Sequence, residues 1–551
     1  MNIPESPIKQ RDLTTPPDLK KSDGTGPVPL KQPVFANYLP PCNQQCPAGE
    51  NIQGWLDKVH NQQFEQAWQL LIADNPMPAI HGRVCYHPCE TGCNRKFVDN
   101  AVSIHQVERH LGDMAIKHGW TPQVNARKSG KKILVVGAGP SGISAAFHLC
   151  RMGHDVEVRD AGPIAGGMLH FGIPAYRLPR DILASEIKLI EDMGVKFTLN
   201  HKVENLCKEK KAGNFAAVFV AVGAHVSKKI NIPAREAGRI MDAVSYLRDV
   251  GEGKDLKLGR RVAIYGGGNT AMDAARTAKR LGAEETMIIY RRDMDNMPAL
   301  KFEAEEAMEE GVKINWLRTI KEIDVDQIRV EKMALDKNGR PVPTGEFETL
   351  AADTLILALG QNIDSQLLSS FPEIQFEKDG TVVVNQQMMT SAPGIFAGGD
   401  MVPSDRTVTI ATGHGKKAAR YIHAFLSDEV YQPADKTPVV KFESLHLWYH
   451  TDAQVSAQPA MPLDERTKSF DEVLGSLTQD EVTYEASRCY SCGNCFECDG
   501  CYGACPEDAI IKLGKGKFYQ VDYAKCTGCS ACTLQCPTAA IHMVDNGSNE
   551  H

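Results

Sequence analysis

The cysteines near the C-terminal end are spaced as ligands of metal clusters. They form the runs Cys495-x₂-Cys498-x₂-Cys501-x₃-Cys505-Pro and Cys526-x₂-Cys529-x₂-Cys532-x₃-Cys536-Pro. Each run is a [4Fe–4S] ligand pattern, and in a doubled run the fourth cysteine ligates the other cluster. The spacing predicts one cluster on Cys495, Cys498, Cys501 and Cys536 and another on Cys505, Cys526, Cys529 and Cys532. Zinc also binds CxxC pairs, but it does not need this triple spacing followed by proline.

The distribution of the 17 cysteines also indicates metal binding. Fifteen lie in two patches, Cys42 to Cys93 and Cys489 to Cys536. Disulfides are typical of small secreted domains and rare in the cytosol. The two remaining cysteines, Cys150 and Cys207, lie far apart between the patches and are interpreted as ordinary thiols, not as a redox-active pair.

A dinucleotide-binding pattern follows the apolar run 131–136. The run leads into Gly137-Ala-Gly139-Pro140-Ser141-Gly142 and then a helical pattern. Such glycines allow a tight turn, a close approach to a pyrophosphate and close packing of helix on strand. The next strand ends at Asp160, where an acid accepts ribose hydroxyls. A second strand ends in Gly399-Asp400, and in flavoproteins of this class such an aspartate holds the ribityl chain while the next helix faces the flavin. The first dinucleotide is therefore predicted to be FAD.

A second strand–turn–helix pattern begins at residue 261. It reads Gly266-Gly-Gly268-Asn269-Thr270-Ala271, and its next strand ends in Arg291-Arg292 where an acid would favour NAD. Guanidinium groups suit a 2′-phosphate, so NADP is the favoured nucleotide, with NAD still open. The alternative is that both arginines are solvated charges at a strand end.

The N-terminal patch shows a family resemblance. It reads Cys42-x₃-Cys46-Pro, then Gly82-Arg-Val-Cys85-x₃-Cys89-x₃-Cys93. Together with GAGPSG, GGM-x₂-FGIP, GGGNTAMD, YRR-x₄-MPA and GIFAGGD, these motifs make residues 40–430 resemble the small subunit of glutamate synthase and the N-terminal half of dihydropyrimidine dehydrogenase. The GGM-x₂-FGIP segment adds Gly167 and Leu169 to the predicted FAD site.

The resemblance implies two N-terminal [4Fe–4S] clusters. One maps onto Cys46, Cys85, Cys89 and Glu108. The other maps only onto Cys42 and Cys93, because the CxxC that the family carries upstream of Cys42 is absent. That text, E-A-x-R-C-x-x-C-G, occurs instead at Glu485 to Gly493.

We therefore hypothesise that Cys489 and Cys492 join Cys42 and Cys93 around one cluster and staple the C-terminal domain to the N-terminal one. With Glu108, the fifteen clustered cysteines suffice for four clusters of four ligands. The alternative is that this cluster is lost, which leaves three. The sequence does not decide whether such a staple lies within one chain or between two.

Length and composition limit the number of domains and the classes of function that the chain can have. A chain of 551 residues is too long for one hydrophobic core. A net charge of −8 indicates no nucleic-acid footprint. No run approaches about 18 apolar residues and the N-terminus has no signal-peptide core, so we expect a cytoplasmic protein without a membrane span.

The predicted fold class is a two-dinucleotide, Rossmann-type α/β flavoprotein core with a helical iron–sulfur domain before it and a bacterial-ferredoxin α+β domain after it. No side-chain catalytic residue is predicted, since the chemistry belongs to FAD. The predicted division is an extended arm (1–35), a helical Fe–S domain (36–128), the first half of the FAD domain (129–244), the NAD(P) domain (245–362), the second half of the FAD domain (363–430), a connector (431–485) and the ferredoxin domain (486–551).

The predicted function is an NAD(P)H:acceptor or ferredoxin:NADP oxidoreductase subunit in a hetero-oligomer. Its partner is expected to be another redox subunit, such as a thiamine-dependent 2-oxoacid oxidoreductase, or ferredoxin. Alternatives are a glutamate synthase small subunit and the redox subunit of a sulfite-reductase-type complex. A non-catalytic redox scaffold is a further alternative, against which the two complete nucleotide patterns argue.

Overall fold

The computed structural model describes residues 29–124, 126–227, 239–448 and 450–546. Most of the predicted N-terminal arm, residues 1–28, lies outside the described residues. Its remaining part forms strand β1 (Lys31–Phe35), which pairs antiparallel with the strand Ile541–Asp545 near the other end of the chain. The first and last described strands are therefore hydrogen-bonded to each other.

A helical domain follows β1. Its helices are α1 (Pro41–Gln45), α2 (Ile52–His60), α3 (Phe64–Ile72), α4 (Pro78–Val84), α5 (Pro88–Gly92) and α6 (Ile104–His118). Two glycines let α4 and α6 touch. A Cβ on Gly82 would lie 2.5 Å from the Cα of Arg109, and a Cβ on Gly112 would lie 2.2 Å from the backbone nitrogen of Ala79. This contact sets the end of α4, where Cys85 lies, against the helix that carries Glu108.

The first parallel sheet has five strands, in the order β16 (Ile395–Ala397), β5 (Ala217–Val220), β2 (Lys132–Val136), β3 (Asp155–Arg159) and β4 (Lys196–Thr198). Before the chain enters the second sheet, it forms β2 (Lys132–Val136), α7 (Pro140–Arg151), β3 (Asp155–Arg159), α8 (Met168–Phe171), α9 (Arg180–Asp192), β4 (Lys196–Thr198), α10 (Leu206–Ala212), β5 (Ala217–Val220) and β6 (Val226–Ser227). The central strands β2 and β5 are almost entirely buried, as in sheets covered on both faces.

The second parallel sheet is inserted in sequence between β5 and β16 and has the order β10-β9-β8-β14-β7. Its elements are β7 (Arg239–Asp242), α11 (Ala243–Gly251), β8 (Arg261–Tyr265), α12 (Asn269–Arg280), β9 (Glu285–Tyr290), α13 (Lys301–Glu309), β10 (Lys313–Trp316) and β14 (Thr354–Leu357). Between β10 and β14, an antiparallel sheet forms from β11 (Arg318–Ile323), β12 (Gln327–Leu335) and β13 (Pro341–Ala351). Strand β15 (Gln361–Asn362) pairs with β6.

The chain then returns to the first sheet through β16 (Ile395–Ala397) and the long helix α14 (Val408–Ser427). Helix α14 packs closely on α7, since a Cβ on Gly415 would lie 2.2 Å from the carbonyl oxygen of Ser141. The predicted fold class, with two Rossmann-type sheets, is confirmed.

The C-terminal part begins with short helices and ends in a small domain. Its elements are α15 (Leu463–Arg466), α16 (Gln479–Ser487), α17 (Gly500–Ala504), β17 (Ile510–Lys512), β18 (Tyr519–Val521), α18 (Ala531–Gln535) and β19 (Ile541–Asp545). Helix α16 has a capping box, in which Thr478 and Glu481 bond each other's backbone N–H groups. Within the described ranges, no helix combines the length and apolar character that a membrane span needs.

Candidate redox sites

The glycine-rich turn after β2 has the geometry of a phosphate-binding loop. Gly137 has φ +108°, and a Cβ there would lie 2.3 Å from the carbonyl oxygen of Ala221. A Cβ on Gly142 would lie 1.9 Å from the carbonyl oxygen of Gly137. In contrast, a Cβ on Gly139 would have no atom within 4 Å. The turn is therefore closed on its protein side and open at Gly139, where a backbone approach to a pyrophosphate needs space.

Polar groups of this turn fit a bound dinucleotide. The hydroxyl Oγ of Ser141 is buried and has no hydrogen-bond partner among the described protein atoms, so a phosphate oxygen would satisfy it. Asp160 accepts hydrogen bonds from the backbone N–H groups of Ala138 and Gly162, both at 2.7 Å. Its carboxylate thus holds the loop in place, and each oxygen retains a second lone pair for a ribose hydroxyl.

The predicted flavin-side residues converge on the same turn. A Cβ on Gly167 would lie 2.9 Å from the Cα of Gly139, and Leu169 on α8 is fully buried. Gly399, with φ +72°, lies against Ser141. Burial raises the pKa of the Asp400 carboxyl, while Arg406 lowers it. A buried carboxyl of this kind favours a hydrogen-bonding partner such as a ribityl hydroxyl.

The second glycine-rich turn repeats the first. Gly266 has φ +150°, and a Cβ there would lie 2.3 Å from the carbonyl oxygen of Ala358, as Gly137 does from Ala221. A Cβ on Gly268 would have no atom within 4 Å. This turn borders a cleft of about 560 Å³, which the predicted residues Gly266, Gly268, Thr270, Arg291 and Arg292 all line. The cleft is large enough for a nucleotide.

The two arginines differ in their surroundings. Arg291 is exposed, whereas Arg292 is half-buried and its Nε is a buried donor without a hydrogen-bond partner among the described residues. A buried guanidinium donor without a partner is costly and suits an anionic ligand. The arrangement thus fits a 2′-phosphate on the Arg292 side of the cleft.

Asn269 and Ala271 of the second turn face the protein. Ala271 is fully buried in α12. The Nδ2 of Asn269 donates to the hydroxyl of Tyr86 at 2.6 Å, and its Oδ1 accepts from the backbone N–H of Leu300 at 3.0 Å. The side chain of Asn269 therefore joins the helical domain to the nucleotide cleft, a link that the sequence pattern does not indicate.

The C-terminal cysteines gather in two groups of four. One concave site is lined by Cys495, Cys498, Cys501 and Cys536, and a second by Cys505, Cys526, Cys529 and Cys532. In each group the fourth cysteine comes from the other run. Burial raises the pKa of Cys501 to about 12, and the neighbouring thiols of Cys495, Cys498 and Cys536 add to the effect. Bound iron would have to displace such protons.

The four residues predicted for one N-terminal cluster also converge. Burial raises the pKa of Cys89, and Glu90, Cys85, Cys46 and Glu108 raise it further. Burial likewise raises the pKa of Cys85 to about 12, with Glu108 adding to the effect. The Sγ of Cys85 accepts a 3.0 Å hydrogen bond from the Oγ1 of Thr409 in the first turn of α14. This group therefore borders the helix that leads away from Asp400.

The carboxylate of Glu108 is held by a buried amide. The Nδ2 of Asn75 donates to Glu108 Oε1 at 2.7 Å and to Glu50 Oε1 at 3.1 Å. The Oδ1 of Asn75 accepts from the backbone N–H of Met77, which fixes the orientation of the amide. Neither Asn75 nor Glu50 belongs to a sequence motif considered above, and both were missed.

The cysteines from the two ends of the chain come together. Burial raises the pKa of Cys42 well above its usual value, and Cys489, Cys93 and Cys492 raise it further. These four sulfur atoms therefore lie close enough to interact within one chain. Asn94 lies beside them, with its Nδ2 at 3.5 Å from the Sγ of Cys492.

Charged side chains fasten α16 beside this group. Arg488 is 2% exposed, and its Nη1 and Nη2 bond Glu485 at 2.7 Å and Asp99 at 3.2 Å. Arg95 also bonds Asp99, at 2.9 and 2.6 Å, and donates to the carbonyl oxygen of Arg488 at 3.0 Å. We call Arg95, Asp99, Glu485 and Arg488 the arginine clamp.

Comparison with family models divides the chain into three matched regions. Residues 131–415, just over half of the chain, match the pyridine nucleotide-disulphide oxidoreductase model. Residues 36–120 match the 4Fe–4S domain II of dihydropyrimidine dehydrogenase, and residues 519–542 match a 4Fe–4S binding domain.

Three similar curated proteins are named as a subunit or small chain of a larger enzyme. The beta subunit of an NADP(+)-dependent formate dehydrogenase from Moorella thermoacetica is 35% identical over 82% of this chain and 70% of its own length. The beta subunit of an NADPH-Fe(3+) oxidoreductase from Geobacter sulfurreducens is 31% identical over 83% of this chain and 75% of its own. The small chain of the NADPH glutamate synthase of Azospirillum brasilense is 33% identical over 72% of this chain and 88% of its own length.

Proposed function

The chain belongs to the pyridine nucleotide-disulphide oxidoreductase family, and we propose that it is the subunit of a larger enzyme that exchanges electrons between NADP(H) and a partner redox protein. It is an oxidoreductase with FAD, NADP and [4Fe–4S] clusters as cofactors, which confirms the predicted family resemblance and cofactor classes. When these groups are bound, FAD exchanges hydride with NADP(H) and the clusters carry single electrons.

The residues of the chain bind and orient these groups. Gly139 and Ser141 would receive the FAD pyrophosphate, and Asp160 holds that loop while offering lone pairs to the ribose. Arg292 would bind the 2′-phosphate that distinguishes NADP from NAD. Because no side chain needs to act as acid or base, positioning and electrostatics account for the protein's contribution.

A disulfide route for electrons finds no support. Cys150 lies at the end of α7, where its Sγ bonds the carbonyl oxygen of Met193, and Cys207 lies in α10 beside Ser370. These are the two cysteines outside the patches, and they lie in separate places. Clusters held by the cysteine groups, one of which contacts α14 through Cys85, would supply the route for single electrons from bound FAD.

The observation that carries the proposal is the continuity of the ligand groups. Cys85 contacts the flavin-side helix α14 through Thr409. The same short segment supplies Cys89 to that group and Cys93 to the group around Cys42. Cys492 of the latter is three residues from Cys495 of the ferredoxin domain. Four groups follow one another from the flavin side to the exposed Cys498 and Cys529.

The partner is proposed from chemistry and from the relatives. Clusters that carry single electrons need a partner subunit that gives or takes single electrons. The chain would therefore act within a hetero-oligomer. The sequence favours a thiamine-dependent 2-oxoacid oxidoreductase, whereas the Moorella relative favours a formate-oxidising partner. We place a glutamate synthase large subunit lower, because the Azospirillum small chain matches only 72% of this chain.

Two experiments test the proposal. Anaerobic mixing with NADPH should bleach the flavin band within seconds and then reduce the clusters. A flavin that stays oxidised would support a scaffold role instead. Affinity copurification from the native host should recover a redox subunit. The cofactor of that subunit identifies the partner class, since it is expected to be thiamine diphosphate, sirohaem or a formate-oxidising centre. Recovery of a fully active chain with no redox subunit contradicts the subunit assignment.

A further inference from the structure

Tyr86 lies where the three cofactor-binding parts of the chain meet. It follows Cys85 directly, in the loop between α4 and α5. Its hydroxyl accepts a 2.6 Å hydrogen bond from Asn269, the first residue of α12 in the nucleotide-binding turn. The two residues are 183 positions apart in sequence, so this contact exists only because the helical domain is docked on the NADP domain.

The partner of Tyr86, Asn269, lies in the chain between Gly268 and Thr270, which both line the cleft. The Oδ1 of Asn269 accepts from the backbone N–H of Leu300, and the N–H of Ala299 donates to the carbonyl oxygen of Gly267 at 3.0 Å. The neighbouring Pro298 lines the cleft. Tyr86 therefore bonds a side chain that ties the glycine-rich turn to the segment that follows the cleft residue Pro298.

The FAD-binding part reaches the same junction through an ion-pair network. Arg177, in the loop after α8, bonds both oxygens of Asp273 on α12 at 2.9 and 2.8 Å and Glu303 on α13 at 2.6 Å. Asp273 lies one helical turn after Asn269 on α12, and the phenol oxygen of Tyr86 is the acceptor for the amide of Asn269.

We propose that Tyr86 is a positioning residue that couples nucleotide binding to the redox state of the cluster on Cys46, Cys85, Cys89 and Glu108. This rests on the proposed function, which assigns those four ligands and the NADP cleft. The Asn269 amide bonds Tyr86 on one side and orders the nucleotide turn on the other. A displacement of the Tyr86 loop therefore displaces the nucleotide turn, and the reverse also holds. Coupling of this kind is reciprocal for binding equilibria.

The sign of the coupling follows from charge. Reduction adds a negative charge to the cluster beside Tyr86, and the nucleotide brings its pyrophosphate to the start of α12. Like charges on the two sides of this link oppose each other, and the Tyr86–Asn269 hydrogen bond holds the two loops at the separation at which that repulsion acts. Nucleotide should therefore bind more weakly to the reduced protein, and bound nucleotide should lower the potential of this cluster.

The test compares nucleotide affinity in two redox states. The probe is 2′-phospho-ADP-ribose, which carries the pyrophosphate and the 2′-phosphate but no nicotinamide, so it cannot accept hydride. Its Kd is measured in the full-length holoprotein, once oxidised and once reduced with dithionite. We expect about a fivefold weaker Kd on reduction. An EPR-monitored titration should show the matching fall of one cluster potential, about 40 mV at about 59 mV per tenfold.

The Tyr86→Phe variant should reduce the ratio of the two Kd values below twofold while retaining its iron and FAD. Tyr246→Phe is the matched control, since the hydroxyl of Tyr246 is buried without a hydrogen-bond partner in the described structure, and it should keep the fivefold ratio. An unchanged ratio in Tyr86→Phe overturns the proposal. Iron analysis of the wild-type chain separates failure of the ligand assignment from failure of the coupling proposal. A missing cluster refutes the ligand assignment. A full complement of iron without coupling refutes only the role proposed for Tyr86.

Discussion

The hydroxyl of Thr409 donates a 3.0 Å hydrogen bond to the Sγ of Cys85. Thr409 lies in the first turn of α14, two residues after the helix cap Thr407, whose Oγ1 accepts from the N–H of Ile410. The flavin-side helix thus bonds directly to a proposed cluster ligand. The two residues lie 324 positions apart in sequence.

We predict that Thr409→Val lowers the reduction potential of the cluster on Cys46, Cys85, Cys89 and Glu108. A hydrogen bond to a ligating sulfur stabilises the more negative, reduced cluster. Its loss is worth about 1 kcal/mol, which corresponds to roughly 40 mV for one electron. A potentiometric EPR titration measures the shift. Thr409→Ser keeps the hydroxyl and should keep the potential, and an equal shift in both variants would count against the hydrogen bond as its cause.

The group formed by the two ends of the chain gives a second prediction. Cys489→Ala should remove about four of about sixteen iron atoms per chain, because three thiolates remain where four are needed. Iron and labile-sulfide analysis of anaerobically purified protein measures the loss. Cys207→Ala, outside both patches, should keep the full content. A wild-type chain with about twelve iron atoms would show that this cluster is absent.

The same group should be formed within one chain. The structure brings Cys42, Cys93, Cys489 and Cys492 together without a second copy. The iron content should therefore not fall when the protein is diluted under anaerobic conditions to a monomer by size-exclusion chromatography. Iron loss that tracks the dissociation of a dimer would point to a cluster shared between chains.

Nucleotide preference gives a third prediction. Arg292→Gln should raise the KM for NADPH about tenfold or more and leave the KM for NADH unchanged, because a charge-assisted bond to the 2′-phosphate is worth about 1.5–3 kcal/mol. The kcat should change little, since the lost contact is remote from the nicotinamide. Arg260→Gln is the matched control, because Arg260 is exposed at the start of β8 and pairs with Glu284. Equal effects on both nucleotides would place Arg292 outside the phosphate site.

Short-range patterns carry most of what can be predicted from this sequence. The turns at Gly137 and Gly266 follow because only glycine fits a positive φ with a carbonyl oxygen 2.3 Å from the missing Cβ. The ferredoxin ligands follow from fixed spacing in one segment. The convergence of Cys42 with Cys489 is predicted by a different signal, the surplus cysteines and the displaced motif at Glu485 to Gly493.

Contacts that depend on domain docking could not be predicted. The bonds Thr409–Cys85 and Tyr86–Asn269 and the pairing of β1 with β19 join segments that are at least 183 residues apart, and no local pattern marks them. Asn269 shows the difficulty. Its place in the glycine-rich turn predicts a nucleotide contact, yet its amide bonds Tyr86 and Leu300.

The arginine clamp gives the last prediction. Hydrogen bonds from Arg95, and further ones from the Ala453 and Asn100 N–H groups, hold the pKa of Asp99 well below its usual value, and Arg488 bonds the same carboxylate. Asp99→Asn should weaken the attachment of α16 by about 3 kcal/mol, because it leaves the largely buried guanidinium group of Arg95 without its anion and leaves Arg488 with Glu485 alone. Faster hydrogen exchange of the α16 amides, Gln479–Ser487, measures the loss. Asp452→Asn is the control, because Asp452 is exposed and lies in the connector that leads into α16. This variant should leave the exchange of the α16 amides unchanged.

The pH dependence of this effect is fixed by the direction of the shift. A carboxyl whose pKa is lower in the folded state stabilises the fold fully above its unfolded pKa, near about 3.9, and loses that contribution as pH falls through the folded value. The difference in α16 exchange between wild type and Asp99→Asn, corrected for intrinsic rates, should therefore stay constant from about pH 5 to pH 8. A difference that already shrinks near pH 6 would mean that Asp99 titrates there and that the arginines do not hold it ionised.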